Sequence, residues 1–355
     1  FVSCLVTLQL TVVVRAQDWL IDASPYKAVI TQKGNTVELN NGLVRRKFTI
    51  GANFACTDYT NLTNQQQLLR AIKPEARVVL DGVLYNVGGL VGQKENGYIL
   101  PGLADTLKAG VNDFKYVSHT TGPLKPFLNW KNKSWAHHTA APTGQELIVT
   151  YAHPSQKLNG IKVEVHYELY NHLPLIVKWI SILNTSSTPH ALDRVVNEVL
   201  GLVEEESAVV GTPEEMKKQH GIYVETNYAF NNAMRYDISD QTTHWKTDSV
   251  YTSQVNYNYQ TPCLLEIYPE KAPGIDLQPN ELFKSVRTHE LLMDSYDRQR
   301  RGLMIRKMYT AVAPWTAQNP IFMHLVSKND EEVKTAIDQC VATGYEAVIL
   351  SFGSH

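Results

Sequence analysis

From Pro320 the chain reads as an apolar run (PIFMHLV), an amphipathic stretch (NDEEVKTAIDQCVATG) and a second apolar run (YEAVILSF). Short apolar runs on either side of a helical pattern are the signature of a βαβ unit, because parallel strands need a long crossover between them. A parallel pair needs cover on both of its faces. The pattern therefore predicts a second structural unit over 319–355, of which this chain holds the first strand, the first helix and the second strand. In a (β/α)8 barrel the reacting groups stand at the carboxyl ends of the strands. Those ends are marked here by His324 and by Ser351 and Ser354, the candidate ligand-contacting residues.

Upstream the texture is different. From Trp19 to about Leu292 short alternating or apolar runs are divided by Gly, Pro, Asn and Asp, as at 36–39, 43–50, 77–80 and 146–151. In 161–170, Ile161, Val163, Val165, Tyr167 and Leu169 share one face and Lys162, Glu164, His166 and Glu168 the other. That is the period of a half-buried antiparallel strand. Asn171-His172-Leu173-Pro174 then turns the chain into a second strand over 175–184. Many strands with almost no helix predict a large antiparallel sandwich over 17–293. A short helix is expected at 214–219, with Thr212 as its cap and Pro213 in its first turn.

Near residue 295 the period lengthens. Residues 295–313 read as a helix with Ser295 as a candidate cap and an apolar stripe of Leu303, Met304, Met308 and Val312. Its basic cluster (Arg298, Arg300, Arg301, Arg306, Lys307) reads as a solvated face. Pro314 ends it, which makes 294–318 a connector between the sandwich and the parallel unit.

Composition narrows the rest. Hydrophobic residues make up 43% and charged residues 19% of the 355, with a formal net charge of −2. That balance is ordinary for a globular protein, and it lacks the basic field that a nucleic-acid partner requires. Residues 1–16 carry an apolar stretch ending Val14-Arg15-Ala16, the pattern of a signal peptide cleaved before Gln17. Beyond it nothing approaches the roughly twenty apolar residues of a membrane span. Three sequons, at Asn61, Asn132 and Asn184, agree with a secreted or lysosomal glycoprotein. Of the cysteines, Cys4 leaves with the leader, a Cys56–Cys263 bridge stays open, and Cys340 sits in a helical pattern as a buried thiol. No CxxC or HExxH occurs and His137-His138 lacks ligand spacing, so neither a metal nor another cofactor is expected.

Four segments carry a resemblance. They are Asn40–Phe48 (NNGLVRRKF), Arg300–Tyr309 (RRGLMIRKMY), Asn319–His324 (NPIFMH) and the helix–Gly–strand of 331–350. In that order, across most of the chain, they resemble the α-galactosidase-type, melibiase-like enzymes of glycoside hydrolase family thirty-six. The resemblance implies a mainly β fold: a large antiparallel β-supersandwich, related to that of galactose mutarotase, followed by the first βαβ of a truncated (β/α)8 barrel. It implies a retaining hydrolase of O-glycosidic bonds whose two carboxylates stand about 5–5.5 Å apart. Those carboxylates come from later strands and are expected beyond His355, so no catalytic residue is assigned within this chain. Where many members end the second strand with two aspartates and Gly-Trp, this chain has Ser351-Phe352-Gly353-Ser354, and His324-Leu325-Val326 departs likewise at the first strand. The resemblance thus implies a related scaffold with an altered pocket.

Two rival readings follow. One is a non-catalytic carbohydrate-binding protein on the same scaffold. The other is a mutarotase-like or lyase-type enzyme, which needs a histidine and a carboxylate converging on the concave sheet. Phe127, Trp130 and Trp135, with His137 and His138, offer stacking surfaces for a sugar. The Tyr- and Asn-rich stretches 223–230 and 250–259 can line a groove. Glu168, Glu198 and Glu290 sit among apolar residues, and the sequence does not show which of them meet.

Overall fold

Cross-strand pairing turns the alternation at 161–170 into the centre of a sheet. Strand Ile161–Tyr170 runs antiparallel to Leu175–Asn184 on one side and to Gly144–Ala152 on the other. The sheet extends through Lys115–Pro123 at one edge and through Thr288–Leu292 and Ile222–Thr226 at the other, with Leu282–Lys284 also paired to Leu175–Asn184. The computed structural model describes residues 18–94, 99–129, 131, 141–205, 218–228, 241–250, 263–317 and 321–354. Among these, a five-stranded antiparallel sheet spans Val29–Lys33 to Gln66–Gln67. Two four-stranded antiparallel sheets are built around His190–Val196 and Glu198–Leu202. All four sheets contribute to one apolar core, with Leu39 and Phe48, Val163 and Tyr167, Val78 and Leu192, and Leu200 and Leu265 among its members. The fold is mainly β, as expected.

One expectation needs correcting. The polar side of Ile161–Tyr170 is not open to water along its whole length: His166, Glu168 and Tyr170 are buried. The reason is a second apolar layer on the outer face of the seven-stranded sheet. There Tyr170, Leu175, Val177 and Leu291 pack against Trp19, Met304 and Met308.

Met304 and Met308 belong to the connector helix, Arg298–Val312. Asp297 caps it, not Ser295: the Asp297 carboxylate accepts the Arg300 N–H at 2.7 Å, while the Ser295 hydroxyl accepts the Asp297 N–H. Leu303 lies off the buried stripe and is exposed, because the helix rests on Met304 and Met308, one turn apart. The basic cluster is also more than a solvated face. Arg300 bridges Asp18 and Asp294, Arg301 donates to the His220 carbonyl, and Lys307 reaches the Trp19 and Leu20 carbonyls. Trp19, whose indole donates to Asp294 at 2.8 Å, completes a strap that pins the helix to the sheet.

Strands Phe322–Leu325 and Ala347–Leu350 are parallel, in the register Phe322↔Ala347 to Leu325↔Leu350. Helix Asp330–Thr343 joins them, capped by the Asn329 side chain at one end and by Gly344 (φ 83) at the other. Ala336 and Cys340 form its buried face. The parallel pairing read from the two apolar runs is therefore present.

The sequons read differently in three dimensions. Asn61 and Asn184 are both fully buried. The Asn61 amide donates to the Met293 carbonyl and that of Asn184 to the Thr188 and Leu277 carbonyls. In each case the hydroxyl two residues on donates to the asparagine oxygen at 2.6 Å. Asn-x-Thr and Asn-x-Ser act here as turn staples, and neither nitrogen can carry a glycan in this fold. Asn184→Ala should cost about 1–3 kcal/mol by stranding these buried groups. A role limited to carrying a glycan predicts no change in urea-unfolding midpoint for protein made in a non-glycosylating host. Asn132, residues 214–217 of the expected helix, Trp130, Trp135, His137, His138, His355 and residues 229–230 and 251–259 of the Tyr- and Asn-rich stretches lie outside the described residues. Lys218 and Gln219 are described and are not helical. Cys56 and Cys263 are both buried and free, so that pairing is not formed. Among the described residues no helix is long and apolar enough to cross a membrane, and no cluster of three or more His, Cys, Asp or Glu is placed to hold a metal.

Candidate functional site

Two groups of charged residues stand out, one on each face of the seven-stranded sheet. On the core face Arg46, Glu75, Lys178, Glu198 and Glu290 are at most 1% exposed. Arg46 donates to Glu198 at 2.9 Å and to Glu290 at 3.2 Å, and Lys178 to Glu198 at 2.7 Å. The Tyr59 hydroxyl donates to Glu290 at 2.9 Å and that of Tyr167 to Glu75. Burial pushes the Glu290 carboxyl far above its usual range, and the adjacent Glu198 charge pushes the same way. Burial raises Glu198 too, but Arg46 and Lys178 outweigh it and hold that carboxyl at about 2. Glu290 is thus a neutral acid, its Oε2 accepting from Arg46 and Tyr59 while its Oε1 faces no donor. The sequence left open which of Glu168, Glu198 and Glu290 meet, and the fold joins Glu198 and Glu290 through Arg46 while Glu168 faces the other side of the sheet. No substrate reaches it, so its role is structural.

The outer face is open. A cleft of about 450 Å³ lies between the sheet and the end of the connector, within the size range of small-molecule sites. Strand Ile222–Thr226 brings Glu225 and leads into Asn227; strand Thr288–Leu292 brings His289, with Arg287 just before it. Glu225 and His289 are direct cross-strand partners, and Val177 pairs with His289 on the next strand. Alternation fixes this placement: Thr288 and Glu290 point into the core, so Arg287 and His289 point outward. The connector supplies Met308, Tyr309, Val312 and Trp315, and the far wall is Phe127 with Pro142.

Each polar group here is oriented by a neighbour. The Tyr309 hydroxyl donates to both Glu225 oxygens at 2.6 Å, and that of Tyr223 to Oε2 at 2.7 Å. Burial, with the Glu225 hydrogen bond, raises the Tyr309 phenol to about 12, so it stays a donor. Glu168 receives Arg287 and the Trp179 indole. The Arg287 guanidinium lies over the Phe127 ring at 4.7 Å and over Trp179 at 5.2 Å. His289 Nδ1 meets the Glu225 carbonyl at 3.3 Å. Burial lowers its pKa to about 4, Arg287 adding to the effect, so the ring is neutral near pH 7. Aromatic walls over a floor of carboxylate, amide, guanidinium and imidazole suit a ligand with an apolar face and a hydroxylated edge.

The residues singled out from sequence lie elsewhere. Ser351 and Ser354 come together at the carboxyl end of the parallel pair. There the Ser354 hydroxyl accepts the Ser327 N–H at 3.1 Å and donates to the Leu325 carbonyl, while the Ser351 N–H donates to the same carbonyl. His324 is exposed on its strand opposite Ile349. Of the aromatic stretch, Phe127 does reach the cleft, and so do Glu225, Thr226 and Asn227 from the Tyr- and Asn-rich segment. Arg287, His289, Tyr309 and Trp315 were not foreseen. The signal for Arg287 and His289 is a strand region with charged or polar residues on both faces, which needs polar surroundings on each side; Tyr309 and Trp315 sit on the connector and carry no such signal.

No family model matches the chain, and no curated protein matches it. Solved structures do. The chain is similar to the galactosidase domain of an alpha-galactosidase-sucrose kinase, at 10% identity and a TM-score of 0.45 over 92% of this chain and 51% of that one. It is similar to the GH36 alpha-galactosidase AgaB from Geobacillus stearothermophilus, at 13% identity and a TM-score of 0.45 over 92% and 50%. The alpha-galactosidase from Lactobacillus brevis gives 13% identity and a TM-score of 0.42 over 93% and 49%. The chain spans about half the length of these structures.

Proposed function

We propose that this chain is the sugar-handling portion of a secreted glycoside hydrolase of the α-galactosidase type, with the outer-face cleft as its carbohydrate site. The observation that carries the reading is the cleft itself: aromatic rings from the connector and the loop at Phe127 wall a floor of oriented polar groups. The order of parts supports it, since the connector that forms one wall leads directly into a parallel strand pair. In this reading the parallel pair opens a (β/α)8 barrel. The retaining pair of carboxylates is assigned to further strands of that barrel, past His355, and to no residue of this chain.

The second reading is a carbohydrate-binding protein without hydrolytic chemistry. The spent hydroxyl of Ser354, tied to Leu325 and Ser327, favours it, because a strand end built this way offers a sugar little. Isothermal titration of the chain with methyl α-galactoside, raffinose and stachyose tests what both readings share. Saturable binding that Trp315→Ala weakens tenfold or more is expected, because truncating an aromatic binding anchor costs about 2 kcal/mol or more. Absence of binding to all three would remove both readings. A polypeptide carrying further barrel strands then separates them: release of galactose with retention supports the hydrolase, and binding without release supports the second reading.

A further inference from the structure

The hydrogen-bond inventory of the cleft specifies which part of a sugar it reads. A carbonyl oxygen can only accept, so the contact between His289 Nδ1 and the Glu225 carbonyl places the ring proton on Nδ1. Nε2 is then a bare lone pair, and no group among the described residues donates to it. Asn227 is committed in the opposite sense. Its Oδ1 accepts the Arg287 N–H at 2.8 Å, and its own backbone N–H donates to the Arg287 carbonyl at 3.1 Å. What Asn227 leaves to the cleft is its NH2. His289 stands on strand Thr288–Leu292 and Asn227 just past the end of its partner strand Ile222–Thr226, and both line the same cavity. The Arg287 guanidinium is neutralised by Glu168.

We propose that this acceptor and this donor together read a vicinal diol of a neutral sugar, one hydroxyl donating to His289 Nε2 and its neighbour accepting from Asn227 Nδ2. The inference rests on the carbohydrate reading above and adds the pose. The apolar face of the sugar lies toward Trp315 and Phe127. Anionic ligands are disfavoured: a carboxylate or phosphate oxygen at Nε2 would set acceptor against acceptor, beside the Glu225 carboxylate. The two groups are specificity determinants, and no proton transfer is required of either.

Titration of the intact chain with methyl α-galactoside and its singly deoxygenated analogues tests the pose. At least one analogue lacking a diol hydroxyl should bind wild type about tenfold more weakly, the loss expected when a buried polar group is left unpaired. His289→Phe should bind parent and analogue alike. Asn227→Asp, which keeps Oδ1 and replaces the donor by an acceptor, should lose about tenfold for the parent sugar, and it carries the test should His289→Phe not fold. Equal binding of every analogue by wild type, or unchanged discrimination in folded variants, overturns the pose and leaves the carbohydrate reading standing. Failure of wild type to bind any sugar overturns both.

Discussion

Glu198→Gln is expected to destabilise the fold by about 3–5 kcal/mol, whereas the same change at Glu290 should cost less than about 1 kcal/mol. The two acids share one buried network, and the asymmetry comes from their protonation. Glu198 is the charged member, receiving Arg46 at 2.9 Å and Lys178 at 2.7 Å. A neutral amide in its place would leave two buried cations without their carboxylate. Glu290 is already neutral, and the carbonyl oxygen of a glutamine there still accepts from Arg46 and Tyr59. Equilibrium unfolding in urea at neutral pH measures both. Equal losses at the two sites would mean the charge is shared differently.

The same network sets the pH dependence. The Glu198 carboxyl is depressed in the folded state, so its contribution is present above the unfolded value of about 4.3 and is lost as pH falls toward 2. Glu290 is raised, so its contribution is complete below about 4.3 and declines as pH climbs through its folded value. Wild type should therefore lose stability on the alkaline side, and Glu290→Gln should flatten that limb while leaving the acid limb in place. An unaltered alkaline limb in Glu290→Gln would contradict the assignment of the proton.

The second large effect is steric. Gly89 sits at φ +76 with its N–H on the Phe54 carbonyl at 2.8 Å. A Cβ there would stand 2.5 Å from the Pro74 Cα and 2.7 Å from the Lys73 carbonyl oxygen, both backbone. Neither side can yield by rotating a side chain. The left-handed conformation alone costs an alanine roughly 1–2 kcal/mol. The collision falls on the segment that places Glu75, whose carbonyl receives Lys178 and whose side chain receives the Cys56 N–H at 2.6 Å. Gly89→Ala should cost more than about 2 kcal/mol in urea unfolding, with the buried network disturbed as well. Gly34 is the control: its φ is +56 and a Cβ added to it would meet nothing within 4 Å, so Gly34→Ala should show the conformational cost only. Equal losses at the two glycines would remove the steric argument.

How much of this was legible in the sequence depends on whether the signal is local. Ile161–Tyr170 and Leu175–Asn184 announce themselves by alternation and by the Asn-His-Leu-Pro turn between them. The parallel pair is equally legible, since its two runs flank one amphipathic helix with Asn329 and Gly344 at its ends. The helix cap was misplaced by two residues because Ser295 and Asp297 are both good caps, and only the backbone decides between them. The sequons misled for a related reason: Asn-x-Thr is at once a glycan acceptor pattern and a side-chain turn, and burial selects the second at Asn61 and Asn184. The cleft was not legible. It joins Phe127, Glu225–Asn227, Arg287–His289 and Tyr309–Trp315, which only strand pairing and the docking of the connector bring together. Arg46 was hidden in the same way, because an arginine on a strand reads as surface until Glu75, Glu198 and Glu290 arrive from distant segments.

Amide chemical-shift mapping during titration with methyl α-galactoside tests the carbohydrate cleft most directly. Perturbations should cluster at Glu225–Asn227, Arg287–His289 and Tyr309–Thr316. Shifts confined to the ends of the parallel strands at Leu325 and Ser351, or no saturable shifts at all, would contradict the account.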